Sequence, residues 1–502
     1  MSGYRTLHRI QPPVEESSSS PPLPIWRVRF SPCRSSSPPQ SSSSPHPSSL
    51  RLLAAGASNT IQCYSLTDRT NKDANTDDIL DASAMSVERT ECLISKDDYN
   101  TIVENNQSKS TSSNATSLGY ASLDIVRNYC GSDTVSGNEI VAASQLGGKV
   151  CIWVRLDPIL IDKGVIVSEG HDVPSTTISN GNDGGSDEEG MRYIQPHSEF
   201  TISSATGTTL AIRPPSLANY YSKRETDILV AMGCANGAVV ICKTGILTAL
   251  PGAENSSTSS SVVGDTSSAS ARGDTIDILD KSSTPGEIVA TIGGGHACVL
   301  SLAFHPTIPN CFVVGRKDGT IDIYSSATNT DDYYHTGGRV DLTFRRMHRL
   351  VHSSFPIRAL SFSEPDGALL FAGDDNGQLY SYDASCNNVR TNMSAPVKLV
   401  ACALTAHKGW VMNLTTFPDG KRVATCGSDR TVRVWDCGMG LSSSTPVHSF
   451  EGVHDGLVWG IDCGSAVVSS SGGGELLRAS GEKVKLISCG NDGVMQIFSC
   501  GE

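Results

Sequence analysis

Within residues 406–437 the chain alternates between apolar and polar positions every second residue, which is typical of β-strands. Val423 and Thr425 share one face of a predicted strand, and Val432 and Val434 share one face of the next. A Pro-Asp-Gly turn precedes the first of these strands, a Ser-Asp-Arg turn separates the two, and the second ends on Trp-Asp. The pattern predicts short antiparallel strands joined by tight turns.

Four side chains in this segment are spaced so that they can form one buried chain of hydrogen bonds. Asp429 can accept from His407, His407 can reach Thr425, and the Thr425 hydroxyl can meet the indole N–H of Trp435. Because each group would be costly to bury alone, the set predicts a structural relay. The alternative is a lone hairpin with a chance Trp-Asp pair, which would need four matched features at the right spacing by accident.

A tight turn followed six residues later by an aromatic residue (once by a cysteine) occurs seven times. Five of the seven turns carry Asn-Gly, Asp-Gly or Gly-Gly, which supply the positive φ that a tight hairpin requires. Seven such frames predict an all-β, seven-bladed β-propeller that contains the whole chain. The frames run from Ser58 to Tyr64, Gly147 to Trp153, Asn236 to Cys242, Asp318 to Tyr324, Asn376 to Tyr382, Asp429 to Trp435 and Asp492 to Phe498.

The last predicted blade lacks an outer strand, because its third strand lies within a few residues of the end of the sequence. The segment Tyr4–Ile10 is a predicted strand with no partner of its own. We expect it to complete blade seven and leave the ring no open seam, the alternative being a frayed terminus. The predicted blades cover residues 24–96, 118–204, 205–293, 296–350, 352–404, 407–450 and 454–502.

Five segments between the frames are rich in Ser, Gly, Pro or acidic residues. Such segments cannot bury enough apolar surface to offset the entropy lost on ordering, so we expect disordered loop insertions. Both regulatory phosphorylation and inert insertion remain open for them. They cover residues 31–49, 109–117, 171–190, 254–272 and 465–474.

The charge and amino-acid composition of the chain argue against several classes of partner and cellular setting. The formal net charge is −13, which argues against a nonspecific grip on the phosphate backbone of a nucleic acid. No run of 18 apolar residues predicts a membrane span, and the first 20 residues lack a secretory signal pattern. The 16 cysteines include no Cys-x-x-Cys pair, so reduced thiols in the cytoplasm or nucleus are expected rather than disulfides or zinc.

Blade seven contains His454, Ser488 and Asp492, a combination that could indicate a hydrolase. Blade six repeats the same arrangement with Thr425 in place of the serine, which favours a second structural relay over a catalytic triad. No phosphate-binding G-x-x-x-x-G-K-[ST] loop occurs, and the 12 histidines are scattered along the sequence with no cysteine quartet beside them. We therefore expect no catalytic residue, no metal and no cofactor.

Residues at the start of each first strand are predicted to face the narrow rim of the ring. Around neighbouring blades they include three tryptophans, one arginine and one methionine, the side chains of which interface hot spots are made. We expect this rim to bind a short linear motif, with an apolar anchor between Trp410 and Trp459 and with Arg358 contacting an acid or backbone carbonyls. The alternative is ordinary packing between blades. The predicted partner-binding residues are Trp26, Tyr120, Leu300, Arg358, Trp410, Met412 and Trp459.

The blade pattern resembles that of WD-repeat proteins. The segments FPIRALSFSEPDGALLFAGDDNGQLYSYD, AHKGWVMNLTTFPDGKRVATCGSDRTVRVWD, VHDGLVWGID and LISCGNDGVMQIFSC are similar to the WD-repeat subunits of superkiller (Ski) complexes. LGYASLDIV and the N-terminal strand leading to IWRVRF fit that family too. The serine-rich insertions depart from it, and several blades lack the full His/Ser/Asp/Trp set.

The resemblance implies a non-enzymatic scaffold in the cytoplasm and nucleus. Its expected partners are the tetratricopeptide subunit and the RNA helicase of the Ski complex, which feed the cytoplasmic exosome in mRNA decay. A second expected set is the RNA polymerase II-associated factor (Paf) complex. The alternative function is that of a generic WD-repeat adaptor, such as a ubiquitin-ligase substrate receptor, and a propeller hydrolase is a third.

Overall fold

In the part of the chain that the structure describes, the architecture consists of β-sheets, antiparallel except for one pair of strands, with one short helix, α1, at residues 96–101. None of the helical structure in the described residues has the length and apolar character needed to span a lipid bilayer. The computed structural model describes residues 4–11, 22–31, 49–68, 85–101, 119–129, 137–145, 147–155, 175–178, 191–202, 206–214, 227–247, 284–293, 297–308, 310–326, 343–385, 397–403, 405–437, 445–464 and 484–500.

The strands form seven sheets, numbered here as blades one to seven, and each runs from an inner to an outer strand. Blade one contains β2 (Ile25–Phe30), β3 (Ser49–Gly56), β4 (Thr60–Asp68) and β5 (Met85–Ile94). Blade two contains β6 (Tyr120–Tyr129), β7 (Gly137–Gln145), β8 (Lys149–Arg155) and β11 (Ser198–Thr201), and the intervening β9 (Ser175–Ile178) and β10 (Met191–Ile194) join blade one. Blade three contains β12 (Gly207–Ile212), β13 (Asp227–Cys234), β14 (Val239–Leu247) and β15 (Ile288–Ile292).

The remaining blades have the same four-stranded order. Blade four contains β16 (Val299–Phe304), β17 (Cys311–Arg316), β18 (Ile321–Ser326) and β19 (Phe344–Leu350). Blade five contains β20 (Ile357–Phe362), β21 (Leu369–Asp374), β22 (Leu379–Asp383) and β23 (Lys398–Ala403). Blade six contains β24 (Val411–Thr416), β25 (Arg422–Gly427), β26 (Val432–Asp436) and β27 (His448–Phe450). Blade seven contains β28 (Val458–Gly464), β29 (Val484–Gly490), β30 (Met495–Cys500) and β1 (Arg5–Ile10).

The inner strands close a ring around a central channel. Each packs against the inner strand of the next blade in the order β2, β6, β12, β16, β20, β24 and β28, and β28 packs against β2 again. The predicted all-β, seven-bladed propeller is therefore confirmed. Radial repetition of this kind leaves only short, protected strand edges.

The N-terminal strand is the outer strand of blade seven, as predicted. β1 pairs antiparallel with β30, with Arg5 opposite Ser499 and Ile10 opposite Met495. Ile10 is buried in an apolar cluster with residues of blades one and seven. Just before β1, Tyr4 stacks on His448 of blade six at 4.9 Å between ring centroids. The two ends of the described chain are thus joined within one sheet, and Tyr4 fastens that sheet to its neighbour.

The hydrophobic core lies between the blades rather than in one central mass. Alternate residues of a strand face opposite neighbours, so one blade contributes to two interfaces. In blade one, for example, Leu52 packs toward blade seven whereas Leu53 packs toward blade two. The described cysteines form no disulfide, and ten of them are buried. This near-continuous apolar patterning makes a rigid ring on which exposed side chains can be held in place.

One predicted insertion is partly wrong. Residues 171–190 include β9, which pairs antiparallel with β10, and β10 adds in parallel to the outer edge of blade one. Backbone pairing along an open sheet edge does not require a long apolar segment, so composition alone missed this extension. Apart from Ser31 and Ser49 at the ends of the first, the predicted insertions 31–49, 109–117, 254–272 and 465–474 lie outside the described residues.

Candidate protein-interaction rim and the polar relays beneath it

The four relay residues of blade six lie in the predicted order within hydrogen-bond distance. His407 Nδ1 is 2.9 Å from Asp429 Oδ1, and His407 Nε2 is 2.8 Å from Thr425 Oγ1. The indole N–H of Trp435 donates to Thr425 Oγ1 at 3.0 Å. A single arrangement satisfies every group: the indole donates to threonine, threonine to histidine, and histidine to aspartate.

The protonation states of His407 and Asp429, at the end of this relay, are set by burial and by their hydrogen bonds. Burial lowers the pKa of His407, and the opposing effect of the Asp429 carboxylate does not cancel it. Burial alone would raise the pKa of Asp429, but hydrogen bonds from His407, Lys408 N and Thr431 hold it well below its usual range. The folded state therefore combines a neutral imidazole with an ionised carboxylate, as a hydrogen-bonded anchor for the turn requires.

Blade seven contains a shorter version of the relay. His454 Nε2 is 2.8 Å from Ser488 Oγ, and His454 Nδ1 is 3.0 Å from Asp492 Oδ2. Phe498 stands where blade six has Trp435, so Ser488 receives no indole hydrogen bond. The Asp492 carboxylate also accepts from two backbone N–H groups of the adjacent loop and turn. The serine lies buried beneath the loops, which fits a structural role for this set.

Blades four and five anchor the same region with different chemistry. In blade six a Cβ on Gly427 would lie 2.4 Å from His407 Nδ1, so glycine leaves room for the imidazole. The equivalent strand-end positions hold Arg316 in blade four and Asp374 in blade five. Asp374 accepts from Ser353 Oγ at 2.7 Å. The repeat thus keeps a buried polar anchor while exchanging the residues that make it.

At one end of the ring, called the rim from here on, each inner strand begins with the same irregularity. The first pair of every inner strand is followed by a β-bulge, in which one extra residue has no partner on the second strand. A bulge re-aims the side chain that it inserts. The seven bulge residues are Trp26, Ala121, Thr208, Leu300, Arg358, Met412 and Trp459.

The residue before each inner strand is also held at the rim. In six blades the turn after the second strand donates a backbone hydrogen bond to the carbonyl of that residue. In blade six, Ser428 N donates to Trp410 O at 2.9 Å and Trp410 N donates to Ser428 Oγ at 2.8 Å. Two hydrogen bonds therefore fix the backbone of Trp410 even though its side chain is 43% exposed.

Arg358 and Trp410 form one preorganised unit. The Arg358 guanidinium lies 4.8 Å above the Trp410 ring, within the range of a cation–π interaction. Arg358 Nε and Nη2 also contact the Asp375 carboxylate at 2.5 and 2.9 Å. Arg358 was expected to contact an acidic residue of a partner. In the isolated chain, Asp375 already provides that carboxylate.

Two further tryptophans, Trp26 and Trp459, are bulge residues of the rim. Trp459 is half-buried and its indole N–H donates to Asn491 Oδ1 at 3.4 Å. Trp26 and Leu300 are half-buried at the equivalent bulge positions of blades one and four. These three side chains remain available at the rim, as do Arg358 and Trp410. Their part in partner binding stays a prediction.

Two predicted rim residues are buried instead. Tyr120 is fully buried with its ring edge-on to Trp153, because it pairs with Gln145 at the position that Val411 occupies in blade six. A one-residue slip in register moves a side chain to the other face of a strand. Met412 is a bulge residue, but it is only 3% exposed and packs in an apolar cluster against Trp459. Neither side chain can contact a partner.

Sequence reasoning missed Phe355 and Asp375. Phe355 is 45% exposed and directly precedes Pro356, whose carbonyl accepts from Asp375 N. The signal was weaker than for Trp410, since Trp410 is the first residue of its predicted strand whereas Phe355 lies one residue before the start of its own. The exposed rim of blades five, six, seven and one thus consists of Trp26, Phe355, Arg358, Trp410 and Trp459.

Charged residues of the inner strands meet below the rim. Arg29 lies 3.6 Å from Asp124 of blade two and 3.6 Å from Asp462 of blade seven. Burial alone would lower the pKa of Arg29, whereas Asp462 and Asp124 raise it overall. In the described part of the chain, no group of three or more His, Cys, Asp or Glu side chains is arranged to hold a metal ion.

Removing the relay carboxylate should destabilise the ring without altering the rim. We expect Asp429→Ala to lower the free energy of unfolding by about 1–3 kcal/mol, because the His407, Lys408 and Thr431 donors lose their acceptor. Chemical denaturation at pH 7 measures this. The matched control is Asp318→Ala at the equivalent turn of blade four, where, among the described residues, the exposed carboxylate accepts from Thr320 alone.

The pKa values of the relay residues predict that the stability of the fold decreases as pH falls. The pKa values of His407 and Asp429 are both lower in the folded state, so the unfolded chain binds protons first as pH falls. Wild-type stability should decline below about pH 6.5 through His407 and further below about pH 4 through Asp429. Asp429→Ala should flatten the lower part of that curve, and an unchanged curve would contradict the assigned charge states.

Comparison with known proteins agrees with this geometry. The model of the family "WD domain, G-beta repeat" matches residues 398–436, which correspond to the outer strand of blade five and three strands of blade six. Actin-interacting protein 1 of Drosophila melanogaster is 27% identical over 154 residues, 30% of this chain and 21% of that protein. Protein TOPLESS of Arabidopsis thaliana is 27% identical over 195 residues, 35% of this chain and 15% of that protein.

A third relative is human apoptotic protease-activating factor 1. It is 33% identical over 99 residues, which are 20% of this chain and 8% of that protein. The chain spans less than a quarter of the length of each of these curated relatives. The matches therefore support the WD40 repeat family.

Proposed function

We propose that this WD40-repeat propeller is a non-enzymatic scaffold that captures a short segment of a protein partner on its exposed rim. WD-repeat propellers act in general as protein-interaction scaffolds. The observation that carries the proposal is the Arg358–Trp410 unit, in which a large aromatic ring is exposed yet held in place. Solvent exposure of such a ring is unfavourable in the isolated chain, so a partner that covers it gains the energy of burying it.

The chemistry of the rim favours binding by a few strong contacts. Tryptophan and arginine dominate interface hot spots because they combine large contact area with directional donors. Asp375 fixes Arg358, and the Ser428 hydrogen bonds fix Trp410, so little conformational freedom is lost on binding. The rim can therefore hold a segment of modest length.

The specific scaffold that we propose is the WD-repeat subunit of a Ski complex. The similarity of residues 355–383, 406–436, 453–462 and 486–500 to that family supports this assignment. In this role the propeller would hold the tetratricopeptide subunit and, through it, the RNA helicase that delivers mRNA to the cytoplasmic exosome. Membership of the nuclear Paf complex is a second part of the same proposal.

Affinity purification of the tagged full-length chain followed by mass spectrometry tests the assignment. Recovery of an RNA helicase together with a tetratricopeptide protein would support the Ski role, and recovery of Paf subunits would support the nuclear role. If a cullin adaptor is the main partner instead, the chain is a ubiquitin-ligase substrate receptor and the Ski assignment is wrong.

The rim itself is tested by substitution. We expect the double variant Trp410→Ala, Trp459→Ala to reduce partner recovery at least about tenfold, since truncating hot-spot residues costs about 2 kcal/mol or more. Circular dichroism should stay unchanged, because Trp410 is exposed and Trp459 is only half-buried, so neither is a core side chain of the ring. The control is Leu399→Ala with Val447→Ala, two exposed apolar side chains away from the rim. Full recovery with the tryptophan variant would exclude the rim as the binding site.

A further inference from the structure

Three arginines lie at or just below the rim, and they differ in what neutralises them. Arg358 contacts the Asp375 carboxylate with two of its nitrogens. Arg29 lies between the carboxylates of Asp124 and Asp462. Arg27 has no carboxylate within ion-pair distance among the residues that the structure describes. One cation near the mouth of the channel therefore lacks a counter-ion.

The surroundings of Arg27 offer its guanidinium only weak hydrogen bonds. Its Nη1 donates to the carbonyls of Trp459 and Trp26 at 3.3 and 3.4 Å, which are long hydrogen bonds, and within the described chain its other donor nitrogens have no partner. Burial, and after it the nearby Arg29, lowers the pKa of Arg27. Arg27 is half-buried, and a cation partly withdrawn from water is stabilised by a paired anion with good hydrogen bonds. Here two weak carbonyl contacts stand in for that anion.

The position of Arg27 points to where an anion would come from. The residue follows the bulge residue Trp26 directly, and its guanidinium reaches the backbone of the bulge residue Trp459. Both tryptophans belong to the exposed rim described above. A segment bound between them would bring its next side chain within reach of the free Arg27 donors.

We propose that Arg27 binds a carboxylate of the partner, so that the segment captured at the rim combines an apolar anchor with an acidic residue. This inference rests on the proposed function and names the chemistry of its ligand. The planar guanidinium suits a carboxylate, because its nitrogens can donate two parallel hydrogen bonds. A partner that covers Trp26 and Trp459 would shield the pair from water and strengthen the attraction.

Peptide selection tests the inference with the full chain. A phage-displayed library of random heptapeptides is selected in parallel on the wild type, on Arg27→Gln and on Arg27→Lys. The charge-conserving lysine variant separates loss of charge from loss of shape. Far-UV circular dichroism and thermal melting of each variant establish that the ring is intact before selection.

The expected result is enrichment of Asp or Glu at one fixed position relative to an aromatic or aliphatic residue on the wild type. A synthetic peptide of that sequence should bind Arg27→Gln roughly 10- to 100-fold more weakly, as expected for losing a charged hydrogen-bonded pair. Arg27→Lys should retain part of the affinity, and added salt should weaken binding to the wild type.

Two other outcomes are informative in different ways. Peptides that need Trp410 and Trp459 but carry no acid, or that bind Arg27→Gln unchanged, would overturn the carboxylate site and leave the rim function intact. If the wild type enriches no peptide that depends on the tryptophans, the rim function fails and the Arg27 site fails with it. Displacement of an acidic peptide by millimolar inorganic phosphate alone would show a general anion site and would also overturn the proposal.

Discussion

Replacing Asp322 with alanine should cost the propeller about 3–5 kcal/mol, the typical loss when one partner of a buried ion pair is removed. Asp322 and Arg316 are both fully buried, and their side chains meet at 2.9 Å. Arg349 adds two further hydrogen bonds to the same carboxylate at 2.7 and 2.8 Å. Burial alone would raise the pKa of Asp322, but these guanidinium groups hold it below its usual value.

Arg316 is the reason that the loss is so large. Besides contacting Asp322, it donates to the carbonyls of Gly237 in blade three and Ala297 in its own blade. Without the carboxylate, a cation with no solvent exposure remains between two blades. Arg349 is 34% exposed and can turn to water, so it adds little to the penalty.

A double variant separates this explanation from simple loss of packing. Asp322→Ala with Arg316→Met removes both buried charges and fills part of the space, so it should be more stable than Asp322→Ala alone. Urea denaturation of the three proteins measures the difference. A single variant within 1 kcal/mol of the wild type, or a double variant less stable than the single, would contradict the role assigned to Arg316.

The repeat was predictable from sequence because its signals are local. The glycines of the predicted Asn-Gly and Asp-Gly turns have positive φ, for example 83° at Gly237 and 75° at Gly377. Such turns fix where strands begin and end, and alternation fixes which face is buried. The N-terminal strand was predictable for a different reason. Blade seven needed a fourth strand, and Tyr4–Ile10 was the one strand left without a sheet.

The wrong predictions for Tyr120 and Met412 arose where a bulge residue or a contact distant in sequence decides whether a side chain is buried. The bulge in each inner strand shifts the face of its first residues, and nothing in a single strand marks it. Aligning Asp124 with Asp462 would have given Tyr120 the position that the buried Val458 occupies in blade seven. For Met412 no local signal exists, because its burial depends on Trp459 of the next blade.

The polar anchors show the same limit. The histidine relays follow a recognisable pattern, whereas the Arg316 and Asp374 anchors depend on partners from other strands and blades. Arg27 was invisible for a related reason, since its significance lies in a carboxylate that no neighbouring strand provides. Charged residues that meet only when the ring closes are far apart in sequence, so their pairing can be identified only from the folded structure.

Deleting residues 1–11 should open the ring, because these residues include the only strand of blade seven that comes from the start of the chain. Ile10 is buried and Leu7 packs against the same cluster, and each large aliphatic side chain contributes about 1.5–3 kcal/mol when fully buried. The contacts of Tyr4 with His448 and Arg422 are lost as well. We expect a loss of at least about 3 kcal/mol, measured by chemical denaturation.

A synthetic peptide of residues 1–11 added in trans should restore the melting temperature of the deleted protein in a concentration-dependent manner. Mass action requires this if the peptide binds the open edge of β30 in the native state. The control peptide carries Leu7→Asp and Ile10→Asp, which keeps the length and backbone but removes the buried contacts. Without the peptide, the exposed edge of β30 should also promote aggregation, since an unpaired strand edge can pair with another chain. A deleted protein as stable as the full chain would show that three strands suffice for blade seven, and equal rescue by both peptides would show that closure does not depend on the Leu7 and Ile10 contacts.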